Sequence, residues 1–251
     1  LHTASPVHGL PSKIYYDVNE TGTRNVVAAC HAAGVKKLIY TSSTGVVWTG
    51  ADFNGVTESE VALPGTGYDA YHHTKGLGER IVLAAEGMDG MQTVILRPCG
   101  MTGERDRQLM WRLAEVYEKR QHNVQIGDNT NLVDYAYAGN VAHAHVLATA
   151  KLISEPERVA GHTFFITNGD PRPQWDFSRL LFCRITGSST QFTTFNVRFL
   201  TGVQWYNIDK ARTILGYNPS VSLEEGIQHT VKWWKKTGAA QHKLRALTGK
   251  D

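Results

Sequence analysis

The sequence predicts an α/β fold: a doubly wound parallel sheet with a smaller lobe in the second half of the chain. Over the first 100 residues, short apolar runs rich in β-formers alternate with longer segments of helical spacing, a pattern typical of βαβ units. After Gly100 the order becomes irregular, and Gly, Pro, Asn and Asp cluster at 127–131 and 168–173. Because ligands bind at the carboxyl edge of such sheets, we expect this second half to lie over that edge.

Three runs are predicted strands, because each is short, apolar and bounded by Gly, Pro or Ser: 36–41, 92–96 and 162–167. Five segments have apolar residues at helical spacing and are predicted helices: 14–33, 69–86, 106–120, 140–153 and 222–237. Asn140 is the predicted N-cap of the fourth helix, and Ser222 with Glu225 matches a capping box at the start of the fifth.

Composition excludes several classes of protein. In 251 residues, 26 Lys and Arg nearly balance 23 Asp and Glu, so bulk charge gives no reason to expect nucleic-acid binding. The three cysteines are far apart and form no CxxC pair, which favours a reducing, intracellular compartment over a disulfide framework. His143 and His145 are two residues apart on a predicted helix, so they point in nearly opposite directions, and we expect no metal site.

The first candidate for catalysis is the pair Tyr71 and Lys75. Their spacing of four puts both on one face of the predicted helix. Tyrosine is a poor base at pH 7, but a nearby ammonium stabilises the phenolate and lowers its pKa. The pair therefore suits general acid/base chemistry between an alcohol and a ketone. Spacing alone does not prove this, since Tyr206 and Lys210 share it, and we interpret that second pair as structural.

Ser43 distinguishes the first pair from the second. It follows the predicted strand 36–41 and precedes Tyr71 by 28 residues. A hydroxyl at the carboxyl end of a strand lies at the mouth of an α/β sheet, where it could hydrogen-bond a substrate oxygen beside a tyrosine base. Two serines after a strand also suit an ordinary turn, so this alternative stays open.

These motifs occur in one order and resemble the extended short-chain dehydrogenase/reductases. The resemblance rests on Leu38–Ser43, Tyr71 with Lys75, Leu96–Pro98 and Val18–Thr23. Further runs narrow it to the 3β-hydroxysteroid dehydrogenase branch, and there to the fungal sterol-4α-carboxylate 3-dehydrogenases of ergosterol synthesis: His2–Gly9, Asp106–Gln108, Gln125–Asn129, Asn140–His145 and Phe165–Pro171. The resemblance covers residue 1 to about residue 235 and implies a Rossmann-like sheet.

The resemblance implies an NAD(P)-dependent oxidation of a 3β-hydroxysterol, with a 4α-carboxysterol giving a 3-ketone and CO2. It assigns catalysis to Ser43, which would orient the substrate oxygen, Tyr71, which would take its proton, and Lys75, which would lower the pKa of Tyr71 and contact the nicotinamide ribose. It assigns cofactor binding to six residues: Thr3, Ala4, Ser5, Tyr71, Lys75 and Pro98. The cofactor is NAD or NADP.

The resemblance also implies a domain division and exposes one departure. Residues 1–100, with 132–167 returning to them, would be the remainder of the NAD(P)-binding Rossmann domain, and 101–251 mainly a substrate lobe. Extended members begin with a Gly-x-x-Gly-x-x-Gly turn that holds the pyrophosphate, and no such pattern occurs here. We therefore expect an N-terminally truncated member. Another extended short-chain dehydrogenase/reductase or epimerase acting on a non-sterol alcohol, and an inactive fragment or binding module, remain alternatives.

Partners and location follow from the same resemblance. The substrate would be a sterol, and the family often pairs into homodimers through the helices that include Tyr71. No apolar run approaches the ~20 residues that span a bilayer. A basic C-terminal run around Trp233 and Trp234 suits either peripheral membrane contact or a solvated tail. We expect an intracellular protein, in the cytoplasm or associated with the endoplasmic reticulum membrane.

Overall fold

The computed structural model describes residues 1–112, 127–186 and 201–241. Helices and strands follow in this order: α1 Ser12–Tyr15, α2 Thr23–Ala32, β1 Lys37–Thr41, β2 Phe53–Val56, α3 Ala70–Ala85, β3 Gln92–Pro98, β4 Gly100–Thr102, β5 Leu132–Val133, β6 Tyr135–Tyr137, α4 Ala138–Ser154, α5 Pro156–Val159, β7 His162–Ile166, β8 Arg172–Pro173, α6 Gln174–Thr186, β9 Gln204–Tyr206 and α7 Leu223–Trp233. A π-helical turn, Tyr16–Gly22, joins α1 to α2.

The three predicted strands form one parallel sheet in the order β1-β3-β7, which confirms the predicted sheet. His2 adds a parallel bridge to Tyr40 at the free edge of β1; its N–H donates to the Ile39 carbonyl at 2.8 Å. The segment that follows His2 therefore starts at the same carboxyl edge where β1 and β3 end.

The sheet is covered on both faces, as expected for parallel strands. Leu38 and Tyr40 lie in one apolar cluster with Val82 of α3. Ile39 points to the opposite face, in a cluster with Ala144 of α4. Each of these side chains is at most 3% exposed, and such burial contributes about 1.5–3 kcal/mol for a large apolar side chain. The doubly wound α/β prediction is confirmed.

Two predicted helix starts had different outcomes. The capping box of Ser222 and Glu225 is present at the start of α7. The prediction of Asn140 as an N-cap is wrong, because α4 begins at Ala138 and Tyr137 is its N-cap. Asn140 is buried, and its amide donates to the Val221 carbonyl at 2.7 Å. The side chain therefore ties the helix to a distant loop rather than capping its own first turn.

The second half of the chain builds a further core. Short strands form a second sheet, β2-β9-β5-β8, and the pair β4-β6. Helices α6 and α7 bury a separate cluster of large side chains: Met110, Trp111, Trp175, Phe177, Leu181, Leu223, Ile227, Val231 and Trp234. Residues 109–112 begin the helix predicted at 106–120, and its remainder lies outside the described residues. Within the described ranges, no helix is long and apolar enough to cross a membrane.

Candidate active site

The candidate site lies where β1 ends and α3 begins. Asp69 caps α3, because its carboxylate accepts the N–H of His72 at 2.8 Å. His72 in turn lies against Gly45, where even an added Cβ would clash with the imidazole. Ser43, two residues before Gly45, is half-buried and its Oγ accepts the N–H of Gly45 at 3.2 Å. The loop after β1 is thus packed directly on the first turn of α3.

Lys75 is buried at the end of β1, with 1% of its surface exposed. Its ammonium donates to the Thr41 carbonyl at 2.6 Å and lies 4.5 Å above the Tyr40 ring. Burial lowers the pKa of Lys75 to about 8, although the carboxylate of Glu79 opposes the shift. An ammonium has three N–H donors, and only one is used within the described part of the chain.

Tyr71 lies half-buried one turn before Lys75. The ring of His8 packs on it with 3.9 Å between ring centroids, and Tyr15 meets it edge-on at 5.7 Å. Burial raises the pKa of Tyr71, and a hydrogen bond with Ser5 acts in the opposite direction. From the sequence, Lys75 is expected to lower this pKa. In this structure its ammonium donates to the Thr41 carbonyl, and its effect on the pKa of Tyr71 stays a prediction.

Thr3, Ala4 and Ser5 run along the sheet edge after the His2 bridge, and all three are exposed. Ser5 Oγ donates to Asn19 Oδ1 at 3.3 Å, and Asn19 Nδ2 donates to Thr74 Oγ1 at 3.0 Å. Asn19 lies in the π-helical turn, a deviation frequent at functional sites. It therefore links the exposed edge segment to the helix that carries Tyr71.

The nicotinamide half of an NAD(P) cofactor fits these residues. Pro98 ends β3 and is buried at the same sheet edge as Thr41, and Lys75 has two N–H groups left for ribose hydroxyls. The fit concerns this half alone, because the 251 residues contain no Gly-x-x-Gly-x-x-Gly turn. The described residues thus bring together Ser5, Tyr71 and Lys75, with Ser43 and Pro98 on the neighbouring strand ends.

A buried ion pair that the sequence motifs do not indicate lies beneath this site. Glu79, fully buried one turn after Lys75, accepts from Arg97 Nη2 at 2.5 Å and from Ser42 Oγ at 2.5 Å. Arg97 is 5% exposed. The four-residue spacing from Lys75 to Glu79 was visible in the sequence, but nothing local pointed to the partner on β3. The network joins α3, β1 and β3 just below the Lys75 ammonium.

His145 supports the same strand end from the opposite face of the sheet. Its Nδ1 donates to the Val141 carbonyl at 2.7 Å, so in the neutral ring Nε2 is the acceptor. Nε2 lies 2.6 Å from Thr41 Oγ1. Thr41 therefore contacts His145 through its hydroxyl and Lys75 through its carbonyl.

The sequence is similar to one family of known proteins. The sequence profile of the 3-beta hydroxysteroid dehydrogenase/isomerase family matches residues 1–197. Sterol-4-alpha-carboxylate 3-dehydrogenase, decarboxylating, of Schizosaccharomyces pombe is 39% identical over 93% of this chain and 76% of that protein. The Saccharomyces cerevisiae protein of the same description is 39% identical over 93% of this chain and 75% of its own.

Among solved structures, two likenesses concern the fold. UDP-glucuronic acid 4-epimerase from Bacillus cereus, in complex with NAD, has a TM-score of 0.75 at 24% identity and covers 94% of this chain and 71% of that one. A dTDP-glucose 4,6-dehydratase from Streptomyces venezuelae, with NAD bound, has a TM-score of 0.76 at 19% identity, with coverage of 94% and 73%. Both agree with the parallel α/β sheet described above.

Proposed function

The chain belongs to the 3-beta hydroxysteroid dehydrogenase/isomerase family, and we propose that it oxidises the 3β-hydroxyl of a 4α-carboxysterol with NAD+ or NADP+. The membership confirms the resemblance inferred from the motifs. The chain is an NAD(P)-dependent oxidoreductase of sterol biosynthesis. The observation that carries the proposal is the buried Lys75 ammonium, held at the end of β1 one helical turn from Tyr71.

The proposed chemistry divides among three side chains. The Tyr71 phenolate accepts the proton of the 3-hydroxyl, while Ser43 Oγ donates a hydrogen bond to the same oxygen and orients it. Lys75 supplies positive charge beside Tyr71; with a pKa of about 8, its ammonium form dominates at pH 7. When bound, NAD(P)+ would supply the hydride acceptor for this oxidation. The proximity of Thr3, Ala4, Ser5 and Pro98 to this edge supports their assignment to the cofactor groove.

Loss of CO2 follows from the product. The 3-ketone carries its carboxylate on the adjacent carbon, and such a β-keto acid breaks the carbon–carbon bond to the carboxylate. The electron pair moves into an enolate whose oxygen is the former 3-hydroxyl oxygen. Tyr71 is now protonated and donates a hydrogen bond to that oxygen, which stabilises the developing charge. The protein therefore needs only to oxidise the 3-hydroxyl and to hold the sterol in position.

The two-part organisation is a proposal of the same kind. Residues 1–100 with 132–167 would form the cofactor side, and 101–251 mainly the substrate lobe. The separate apolar cluster of α6 and α7 supports a distinct second core. Tyr206, Ile208 and Leu215 instead lie in the cluster of the first sheet, so the segment around them would bridge the two parts.

Association is proposed on surface features. Leu10, Ile14 and Tyr16 lie in or next to α1 and are each 37–41% exposed, and such exposed apolar side chains suit a homodimer. Exposed Lys232, Lys235 and Lys236 suit peripheral contact with an anionic membrane such as the endoplasmic reticulum, although Trp234 is buried. A protein that is monomeric by light scattering would exclude the dimer, and one that stays out of anionic vesicles in flotation would exclude the membrane contact.

The test of function is turnover of a 3β-hydroxy-4α-carboxysterol with NAD+ and with NADP+, followed by mass spectrometry of the sterol. We expect the decarboxylated 3-ketone. Tyr71→Phe removes the proposed base and lowers kcat/KM by about 100-fold or more. Tyr206→Phe is the matched control, because that tyrosine has the same spacing to a lysine, and its kcat/KM stays near wild type. Equal activity in Tyr71→Phe and the wild type would exclude this chemistry.

A further inference from the structure

His8 lies on the proposed general base. Its ring contacts that of Tyr71, with 3.9 Å between centroids and a tilt of 43°. The loop that carries it is fixed on both sides by the buried Tyr15: the Tyr15 hydroxyl donates to the Val7 carbonyl at 3.2 Å and accepts the N–H of Leu10 at 2.8 Å. His8 is therefore presented to Tyr71 by a clamped loop rather than by a free one.

The imidazole of His8 has no hydrogen-bond partner within residues 1–112, 127–186 and 201–241. It is half-buried, so part of its surface is accessible. Four groups face it: Tyr71 and His72 through ring contacts, and Asp69 and Arg112 through their charges. Burial, with His72 and Arg112, lowers the pKa of His8 to about 4 against the opposing effect of Asp69. At pH 7 the ring is neutral and offers one N–H donor.

We propose that His8 binds the carboxylate of the substrate and so selects sterols that carry an acid group on the carbon next to the reacting carbinol. The inference rests on the proposed function. Three bonds separate the carboxyl carbon from the hydroxyl oxygen that Tyr71 deprotonates, so a group that contacts the carboxylate must lie beside Tyr71. His8 is half-buried and contacts the Tyr71 ring. The ring of His72 also contacts Tyr71, but His72 is buried against Gly45, with its Nδ1 2.9 Å from Asp69 Oδ1.

A neutral donor also suits the second half of the reaction. CO2 leaves when the bond from the carboxyl carbon to the ring breaks and its electron pair enters the enolate, which later takes a proton from water. A fixed cation would stabilise the carboxylate and oppose this loss of charge. A neutral N–H holds the carboxylate through one charge-assisted hydrogen bond, and it releases the group once the charge moves away.

Binding measurements separate this inference from the proposed function. The Kd of a 3β-hydroxy-4α-carboxysterol and that of its 4α-methyl counterpart are measured by tryptophan quenching of the purified protein. The readout is their ratio, because a general disturbance of Tyr71 weakens both. His8→Phe keeps a ring against Tyr71 and removes the donor, and we expect the preference for the carboxysterol to fall by about 10- to 100-fold, as for a hydrogen bond to a charged group.

Two further variants serve as controls for the role of the His8 N–H. His8→Gln restores an N–H donor and recovers most of the preference, whereas His143→Phe removes an exposed imidazole of α4 and leaves it unchanged. An unchanged ratio in His8→Phe, with both sterols bound by the wild type, would overturn the inference alone. Failure of the wild type to bind either sterol would overturn both.

Discussion

Two lysines of this chain follow a tyrosine by four residues, and their surroundings differ in one decisive respect. Lys75 donates to the Thr41 carbonyl at the carboxyl end of β1, at 2.6 Å. Lys210 donates to the Thr163 carbonyl near the start of β7, at 2.9 Å. Both ammonium groups lie over an aromatic ring, Tyr40 and Phe164 respectively. The strands are parallel, so the two ammonium groups lie at opposite edges of the first sheet.

The difference teaches that spacing identifies a site only together with its place in the fold. Tyr71 and Lys75 share a helix, so a spacing of four brings them to one face. Tyr206 ends strand β9, so the same spacing has no such consequence there. The carboxyl edge is where open α/β sheets bind ligands. Lys75 is accordingly a candidate for catalysis, and Lys210 an anchor for the loop after β9.

The largest expected effect separates the two lysines directly. Lys75→Met keeps an unbranched, buried side chain and removes the charge, and we expect kcat/KM with a carboxysterol to fall by about 100-fold or more. Lys210→Met removes the equivalent charge at the other edge and leaves kcat/KM close to wild type. Steady-state turnover of both variants checks this. Comparable losses in the two would mean that the edge of the sheet does not decide the role.

The next effect concerns the ion pair beneath Lys75. Glu79→Gln leaves Arg97 buried without its counter-charge, and we expect the free energy of unfolding in urea to fall by about 3–5 kcal/mol. The double variant Glu79→Gln with Arg97→Met removes both charges and recovers part of that loss. Glu155→Gln, at partly exposed pairs with Lys151 and Arg158, is the control and changes the free energy of unfolding little. Equal effects at Glu79 and Glu155 would contradict the account of this network.

A smaller, pH-dependent effect is expected at Asp134. Burial raises its pKa to about 7, although its Oδ2 accepts the N–H of Tyr206 at 2.8 Å. The unfolded chain releases this proton near pH 4 and the folded chain only near pH 7, so the free energy of unfolding falls between these values and then levels off. Asp134→Asn removes this fall in the free energy of unfolding, because asparagine does not titrate.

We expect Asp134→Asn to be more stable than the wild type at pH 8, by about 1–3 kcal/mol, and to differ little from it at pH 4. Urea unfolding at both pH values measures the difference in the free energy of unfolding between the variant and the wild type. A difference of the same size at pH 4 and pH 8 would show that Asp134 does not cause this pH dependence.

Local pattern predicted the parts of the fold that depend on local physics. The strands at 36–41, 92–96 and 162–167 and the capping box at Ser222 follow from apolar runs and cap chemistry, and the structure contains them. Six strands of two to four residues were not predicted, since they are too short to show an alternation of apolar and polar residues: β2, β4, β5, β6, β8 and β9. The prediction of Asn140 as an N-cap was wrong because its hydrogen-bond partners lie in loops far along the chain.

The site shows the same division. The sequence indicated Ser43, Tyr71 and Lys75 through order and spacing. It did not indicate His8 against Tyr71 or Arg97 against Glu79, because each contact joins separate elements. Such contacts depend on how the helices dock on the sheet, which no short window of sequence contains.

The most direct test of the central claim is cofactor binding at the carboxyl edge, measured by energy transfer from tryptophan to NADH in a titration of the purified protein. The account predicts saturable binding that Lys75→Met weakens and Lys210→Met does not, because, of these two lysines, Lys75 has its ammonium at that edge. NADH binding that responds equally to both substitutions, or no binding by a folded wild type, would contradict it.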